Sequence, residues 1–421
     1  MDCSAKRDSD GFRIPLPPAP KDKPTLNDLS LENLPPELFL HICSFLKAKF
    51  VIKTLSQVCK TFCSLIQDDT FWKVRMRKRW NKKYPAIPVN EREFDWKSAC
   101  IAREEEWSRW TNRLQSTTYC RMTSGFFASV DAVHLMQDGT ILATGSRDRN
   151  MNVVDLKSLD PENPESIQSC PTSVKMGAHK GWIWSFSSRD NQLVSGSWDT
   201  YIKFWDMAAG AEEIRAVKCK SAVLCCHLEE NLLFAGAYDK KVYHIDARQA
   251  SVLEEKCYHT QPVLCLKCTD NYIITGSEDK RLVVYDRRAG KVLKSIQMQA
   301  FPMCMSLNQE QLWVGDRAGK LSLLDTTDGD FDVVQTYDVG CTSRISSVIT
   351  TMGAIFASSS DKKDNDVIVL EPTDDPGHMV KLDQPGKAPV AQLAYDNGVL
   401  AAANSDVSVG LWIPRPEFSD S

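Results

Sequence analysis

Cys265 and Cys268 form a CxxC pair, the spacing used by metal sites and dithiol chemistry. No second CxxC and no HxxxH follows to complete a zinc set. Cys225 and Cys265 lie 40 residues apart, at equal positions in a repeat described below. Equal repeat positions point to small core hydrophobes, a common use of free cysteine. No metal and no cofactor is therefore expected. The seven histidines are scattered, and no Ser/His/Asp order or Gly-rich phosphate loop stands out, which argues against an enzyme. The run at residues 73–83, KVRMRKRWNKK, holds seven Lys or Arg. It could serve nuclear import or nucleic-acid binding. The favoured reading is a solvated helix end whose charge faces Glu104, Glu105 and Glu106 downstream.

Composition narrows the choice. The 421 residues are 43% hydrophobic and 25% charged, with a net charge of −4. A fibrous or wholly disordered protein is excluded, as is a globally basic nucleic-acid binder. No run reaches the length of a membrane span, so neither nucleic acid nor membrane is an expected partner. The first residues, MDCSAKRDSDGFRIPLPPAP, carry no apolar signal core. An intracellular location, cytoplasmic or nuclear, is expected, with the fifteen cysteines as free thiols.

Five domains follow from the changes in texture. Residues 1–30 are rich in proline and charge and are expected to be disordered. Residues 31–75 read as a small helical unit, residues 76–116 as a helical linker, 117–415 as a β-rich region and 416–421 as a tail. In the helical unit Leu38, Ile42 and Leu46 (or Phe45) define one apolar stripe at a spacing of three to four residues. Ile52, Leu55 and Val58 continue a second stripe, and Phe62, Leu65 and Ile66 a third. So small a unit cannot cover all its apolar surface, and a partner must. In the linker, Trp96, Cys100, Trp107 and Leu114 fall near a 3.6-residue period and predict one amphipathic helix with that stripe packed.

After Thr117 the chain repeats. ATGSRDRNMNVVD, VSGSWDTYIKFWD, FAGAYDKKVYHID, ITGSEDKRLVVYD and WVGDRAGKLSLLD are copies of one phrase, and two degenerate copies follow. The anchors fall at 145, 196, 236, 276, 315, 358 and 403. A period near 40 predicts a seven-bladed β-propeller, mainly β, with four short strands per blade. The last blade lacks an outer strand in sequence, and residues 117–123, TTYCRMT, are placed to supply it. Within the second copy, His179, Ser197, Asp199 and Trp205 are expected to form a hydrogen-bonded structural tetrad. The residue before each turn Asp (Asp148, Asp239, Asp279, Asp361 and Asp406 in other copies) should project from one face. On that rim stand Trp198 and Tyr238, joined by Trp182 and Trp184 through the period of two along their strand. Arg147, Arg317 and Arg344 are the rim arginines, a thin cluster for phosphate.

These residues resemble two known families. Leu34 to Trp72, with Leu34-Pro35, Leu38, Leu46, Val58-Cys59-Lys60 and Phe71-Trp72, is similar to an F-box. Residues 117–413 resemble a WD-repeat propeller, and the whole resembles the F-box/WD-repeat proteins. The resemblance implies a non-catalytic substrate receptor of a Skp-cullin-F-box ubiquitin ligase. Leu34, Pro35, Leu38, Ile42, Leu46, Val58 and Trp72 would then carry the F-box motif that meets the Skp adaptor, and through it the cullin. Trp182, Trp184, Trp198, Tyr238, Arg147, Arg317 and Arg344 would meet a protein substrate. The alternative is a WD-repeat scaffold with no ligase role.

Overall fold

Each repeat glycine sits where the next sheet closes in. In a computed structural model of the protein, a methyl group on Gly196 would lie 2.7 Å from Val223 Cγ1, and one on Gly236 2.6 Å from Val263 Cγ1. At these positions only a residue without Cβ lets the neighbouring inner strand approach so far, which explains the anchor glycine of blades one to five; Ser358 and Ala403 stand there in blades six and seven. The structure describes residues 31, 34–88, 94–160, 163, 172–341, 343–360, 366–384 and 388–415. The expected disordered segment, the tail and Asp361 lie outside them.

The chain divides into two units, Met1–Phe71 and Trp72–Ser421. The second holds seven four-stranded antiparallel sheets among the described residues. Six are consecutive in sequence. The seventh combines Val390–Asp396, Val399–Asn404 and Ser408–Pro414 with Thr117–Met122 from the opposite end of the repeat region. Tyr119 lies opposite Trp412 in that pairing, and their rings are 5.0 Å apart. The propeller is thus closed by its first strand, as the repeat arithmetic requires.

Inner strands are clipped to their neighbours by side chains. Ser187 Oγ accepts the Leu228 amide (2.9 Å), Ser306 Oγ that of Thr350 (3.0 Å), and Gln392 Oε1 that of Val133 (3.0 Å). Each bond crosses from one blade to the next and satisfies a donor that faces no strand partner.

The first unit contains helices α1 (Pro36–Phe45), α2 (Ala48–Lys53) and α3 (Lys60–Gln67). Pro36 opens α1, where a missing N–H costs nothing. The core uses Phe39, Cys43, Ala48, Val51, Phe62 and Ile66, with Phe39 and Phe62 stacked at 4.1 Å.

Helix α4 (Asp69–Arg79) runs across the boundary between the units, and α5 (Trp96–Thr111) and α6 (Arg113–Ser116) precede the propeller in the second. Asp95 caps α5 by accepting the amides of Lys97 and Ser98, both at 3.1 Å. The basic run meets the acidic one, with Arg75 and Arg79 both reaching Glu104 Oε1 (2.7 and 3.2 Å), but the expected solvated end is corrected, because Arg75 and Glu104 are buried. The expected packed stripe of α5 needs correction. Leu114 is 81% exposed and Trp107 only half-buried, whereas the buried face carries Trp96, Ala99, Cys100, Arg103, Glu106 and Trp110. Arg103 pairs with Glu371 (3.4 Å) and stacks on Trp80 and Tyr84. Glu106 accepts Trp110 Nε1–H (2.5 Å), Arg109 (2.8 Å) and the Tyr395 hydroxyl. Paired charges can be buried where lone ones cannot, so a hydrophobic stripe misreads this face.

Candidate functional site

The helical unit spends its best-packed residues on its own core and leaves a second apolar set in water. Leu38 (52% exposed), Ile42 (41%) and Phe45 (76%) lie on the side of α1 away from Phe39 and Cys43. Phe50 and Val58 are also exposed. Of the expected adaptor residues, Pro35, Leu38, Ile42 and Val58 are exposed, and Leu34 and Leu46 are half-buried. Trp72 must be corrected. It is fully buried, with the Arg75 guanidinium 5.9 Å from its ring, so it packs and offers no surface. Phe45 and Phe50 were missed as exposed residues, although the sequence reading had named Phe45 as an alternative to Leu46.

On the propeller, the turns between the second and third strands of each blade and the loops entering the inner strands share one rim. The turn of blade two shows how a side chain is fixed there. Asp199 accepts His179 Nδ1–H (3.0 Å) and the amides of Lys180 (2.7 Å) and Tyr201 (2.9 Å). Burial alone would raise the Asp199 carboxyl, but these hydrogen bonds hold it well below the carboxylate range. Thr200 can then take a positive φ of 73°. The expected tetrad needs one correction, at Ser197. His179 Nε2 and Trp205 Nε1 both meet Ser195 Oγ, at 2.7 and 2.8 Å. Ser197 Oγ instead accepts the Asp199 amide (3.1 Å). Blade four keeps a partial copy, with His259 between Asp279 and Thr275. In blade five, Ala318 stands at the turn position, and Asp316 takes over by accepting the amides of Ala318 and Lys320.

That turn delivers Trp198 to the rim. Its ring meets Trp182 at 5.8 Å, Trp184 at 5.9 Å and Tyr238 at 5.8 Å, the first two edge-on. The Trp198 amide also donates to the Trp182 carbonyl (2.9 Å). Arg147 stacks over Trp182 at 4.8 Å and is oriented by Asp131 (2.7 and 3.2 Å). The result is a ladder across blades one to three, Arg147–Trp182–Trp198–Tyr238, with Trp184 at its inner side. Trp182, Trp198 and Tyr238 are 41, 38 and 52% exposed. Rigid, amphipathic rings of this kind give large contact area at low entropic cost. The other two rim arginines stand apart from the ladder. Arg317 stacks on Phe301 (5.3 Å) in blade five, and Arg344 donates to Ser360 (2.5 Å) in blade six. Asp131, which sets the Arg147 fork, carried no recognisable signal in the repeat.

The CxxC pair is split by its strand. Residues three apart on a strand face opposite ways. Cys265 packs against Gly276 and Pro302, and Cys268 turns toward His227 and Glu229. Those three bring ligand atoms within 4.8 Å of one another, but both Glu229 oxygens are taken by Arg287 (2.7 and 2.8 Å). The set is an ion pair beside a thiol rather than an open ligand sphere.

Comparison with known proteins agrees with both halves. The F-box-like family matches residues 31–77, and the WD domain, G-beta repeat family matches residues 169–206 and 253–286. F-box/WD repeat-containing protein 9 of Bos taurus is 37% identical over 397 residues, covering 94% of this chain and 85% of that one. The Homo sapiens protein of the same name is 36% identical, covering 92% and 83%. F-box/WD repeat-containing protein mec-15 of Caenorhabditis elegans is 29% identical, covering 75% and 79%. The WD40 beta propeller domain of Doa1 superposes with a TM-score of 0.60 at 17% identity, covering 72% of this chain and 98% of that one, which speaks to fold alone. A helical module with an uncovered apolar face, a seven-bladed ring and this level of identity along nearly the whole length place the chain in the family of F-box/WD repeat-containing proteins.

Proposed function

We propose that this protein is the substrate-receptor subunit of a Skp-cullin-F-box ubiquitin ligase. The helical unit docks on the Skp adaptor through Leu38, Ile42, Phe45, Phe50 and Val58, with Pro35 beside them, and the adaptor binds the cullin scaffold. The propeller holds a protein substrate on the Arg147–Trp182–Trp198–Tyr238 ladder. The chain performs no covalent chemistry in this reading. It raises the local concentration of substrate lysines near a ubiquitin-loaded conjugating enzyme.

The observation that carries the proposal is the uncovered face of α1. Leu38, Ile42 and Phe45 stay in water although the unit has a separate core. Burying three such side chains against a partner is worth roughly 1.5–3 kcal/mol each before association costs. A scaffold with no ligase role leaves that face without a use. The test is binding of the purified chain to purified Skp adaptor by biolayer interferometry. The wild type should bind, and Leu38→Asp/Ile42→Asp should lose binding while the propeller melts at an unchanged temperature. Equal binding by the double variant contradicts the docking surface.

A further inference from the structure

The aromatic ladder has a hydrogen-bonding bias as well as apolar area. Trp182, Trp184 and Trp198 each carry an indole N–H, and Tyr238 a hydroxyl. None of these four side chains makes a hydrogen bond among the described residues; what they meet is one another's rings. An indole N–H donates and never accepts. The carboxylate that reaches the ladder, Asp131, is committed to Arg147 (2.7 and 3.2 Å). The turn aspartates next in sequence to Trp198 and Tyr238 are committed too. Asp199 accepts His179 and two amides, and Asp239 accepts the Tyr243 hydroxyl (2.7 Å). Arg147 and Glu278 hold the equivalent turn positions in blades one and four and bound the aromatic stretch between them. That stretch therefore offers ring surface and free donors, without a free carboxylate of its own.

Its complement is a chain segment rich in acceptors, poor in donors and flat-sided. A polyproline II segment has all three properties. Proline has no N–H, the backbone carbonyls take no internal hydrogen bonds, and the pyrrolidine rings pack on aromatic side chains. The two steps of 5.8 Å, from Trp182 to Trp198 and on to Tyr238, cover at most about four residues of a chain that rises ~3.1 Å per residue. The segment they fit is one short turn with proline at its first and fourth positions. Other ligands fit less well. A methylated lysine suits an aromatic cage, but the Arg147 guanidinium already lies over Trp182 at 4.8 Å. A phosphorylated segment calls for clustered arginines, and Arg317 and Arg344 are held in blades five and six.

We propose that the ladder binds a proline-rich segment of the protein substrate in the polyproline II conformation, the indole N–H groups and the Tyr238 hydroxyl donating to its carbonyls. This rests on the ladder being the substrate face, and it names the class of segment that face selects.

The experiment is fluorescence anisotropy of fluorescein-labelled decaproline titrated with the full chain, with glycine-serine and decaglutamate peptides of equal length in parallel. The wild type should bind decaproline saturably and neither control. Trp198→Ala should weaken binding roughly tenfold or more. Tyr238→Phe, which keeps the ring and loses the donor, should weaken it about threefold. Lys291→Ala, at an exposed site on the outer strand of blade four, should bind like the wild type. Absent decaproline binding, or tighter binding of decaglutamate, overturns the proposal. So does equal binding by Trp198→Ala, or by Tyr238→Phe where Trp198→Ala melts early. If decaproline fails while Trp182→Ala/Trp198→Ala still loses partners in cells, the proline class falls and the substrate face stands.

Discussion

Ser195 and Ser197 sit two residues apart on one buried strand and serve different partners. Ser195 joins His179 to Trp205, and Ser197 steadies the turn at Asp199. Ser195→Ala leaves two buried ring nitrogens without a partner and should cost about 2–3 kcal/mol. Ser197→Ala removes one acceptor and should cost about 1 kcal/mol. Urea unfolding of the two variants checks the order. The sequence could not separate these serines, because residues two apart share a face and differ only in depth along the strand. His134 and His227 give a second prediction at this scale. Burial first, and then the Lys267 charge, holds both near 4, below the ordinary 6.5. Between those values the unfolded chain binds protons that the folded chain does not. Stability is therefore full above about pH 6.5 and falls as pH drops toward 4, by up to about 3 kcal/mol per residue. Thermal melts across this window should show the loss, and His134→Gln should reduce it. A flat profile contradicts the assignment of neutral, buried imidazoles.

At the scale of elements, what the sequence concealed was how helices divide their faces. Helix α1 has apolar residues on both the 38/42/45 and the 39/43 sides, and a spacing rule cannot tell core from docking face when both are apolar. Packing decides: Phe39 stacks on Phe62, and Leu38 stays 52% exposed. Helix α5 fails in the opposite direction, since Arg103 and Glu106 look like solvent residues and are buried in pairs. Trp110, fully buried and edge-on to Phe356 at 5.4 Å, anchors this helix to blade six. Trp110→Ala should cost about 3–5 kcal/mol and lower the melting temperature of the propeller unit. A variant that melts like the wild type would mean that α5 adds nothing to that unit.

For the molecule as a whole, the repeat was the most legible feature. The anchor glycine of blades one to five reports a close approach of the next sheet, so the period stays visible where Trp, His or the turn Asp is lost, and it fades in blades six and seven, where Ser358 and Ala403 replace it. The closing strand was legible for a related reason, because seven copies with one missing strand leave a single segment to fill it. The interaction faces were only partly legible. The rim tryptophans announced themselves by spacing, whereas the Asp131 fork rests on a pairing inside blade one that the repeat phrase does not mark. The account's central claim is that the two faces act separately, one for the ligase and one for cargo. Proximity labelling in cells with degradation blocked tests this most directly, using wild type, Leu38→Asp/Ile42→Asp and Trp182→Ala/Trp198→Ala. The account predicts that the first variant loses adaptor and cullin while keeping the remaining labelled partners, and that the second loses those partners while keeping adaptor and cullin. Loss of both sets in either variant at normal protein levels, or of neither set in both, would contradict it.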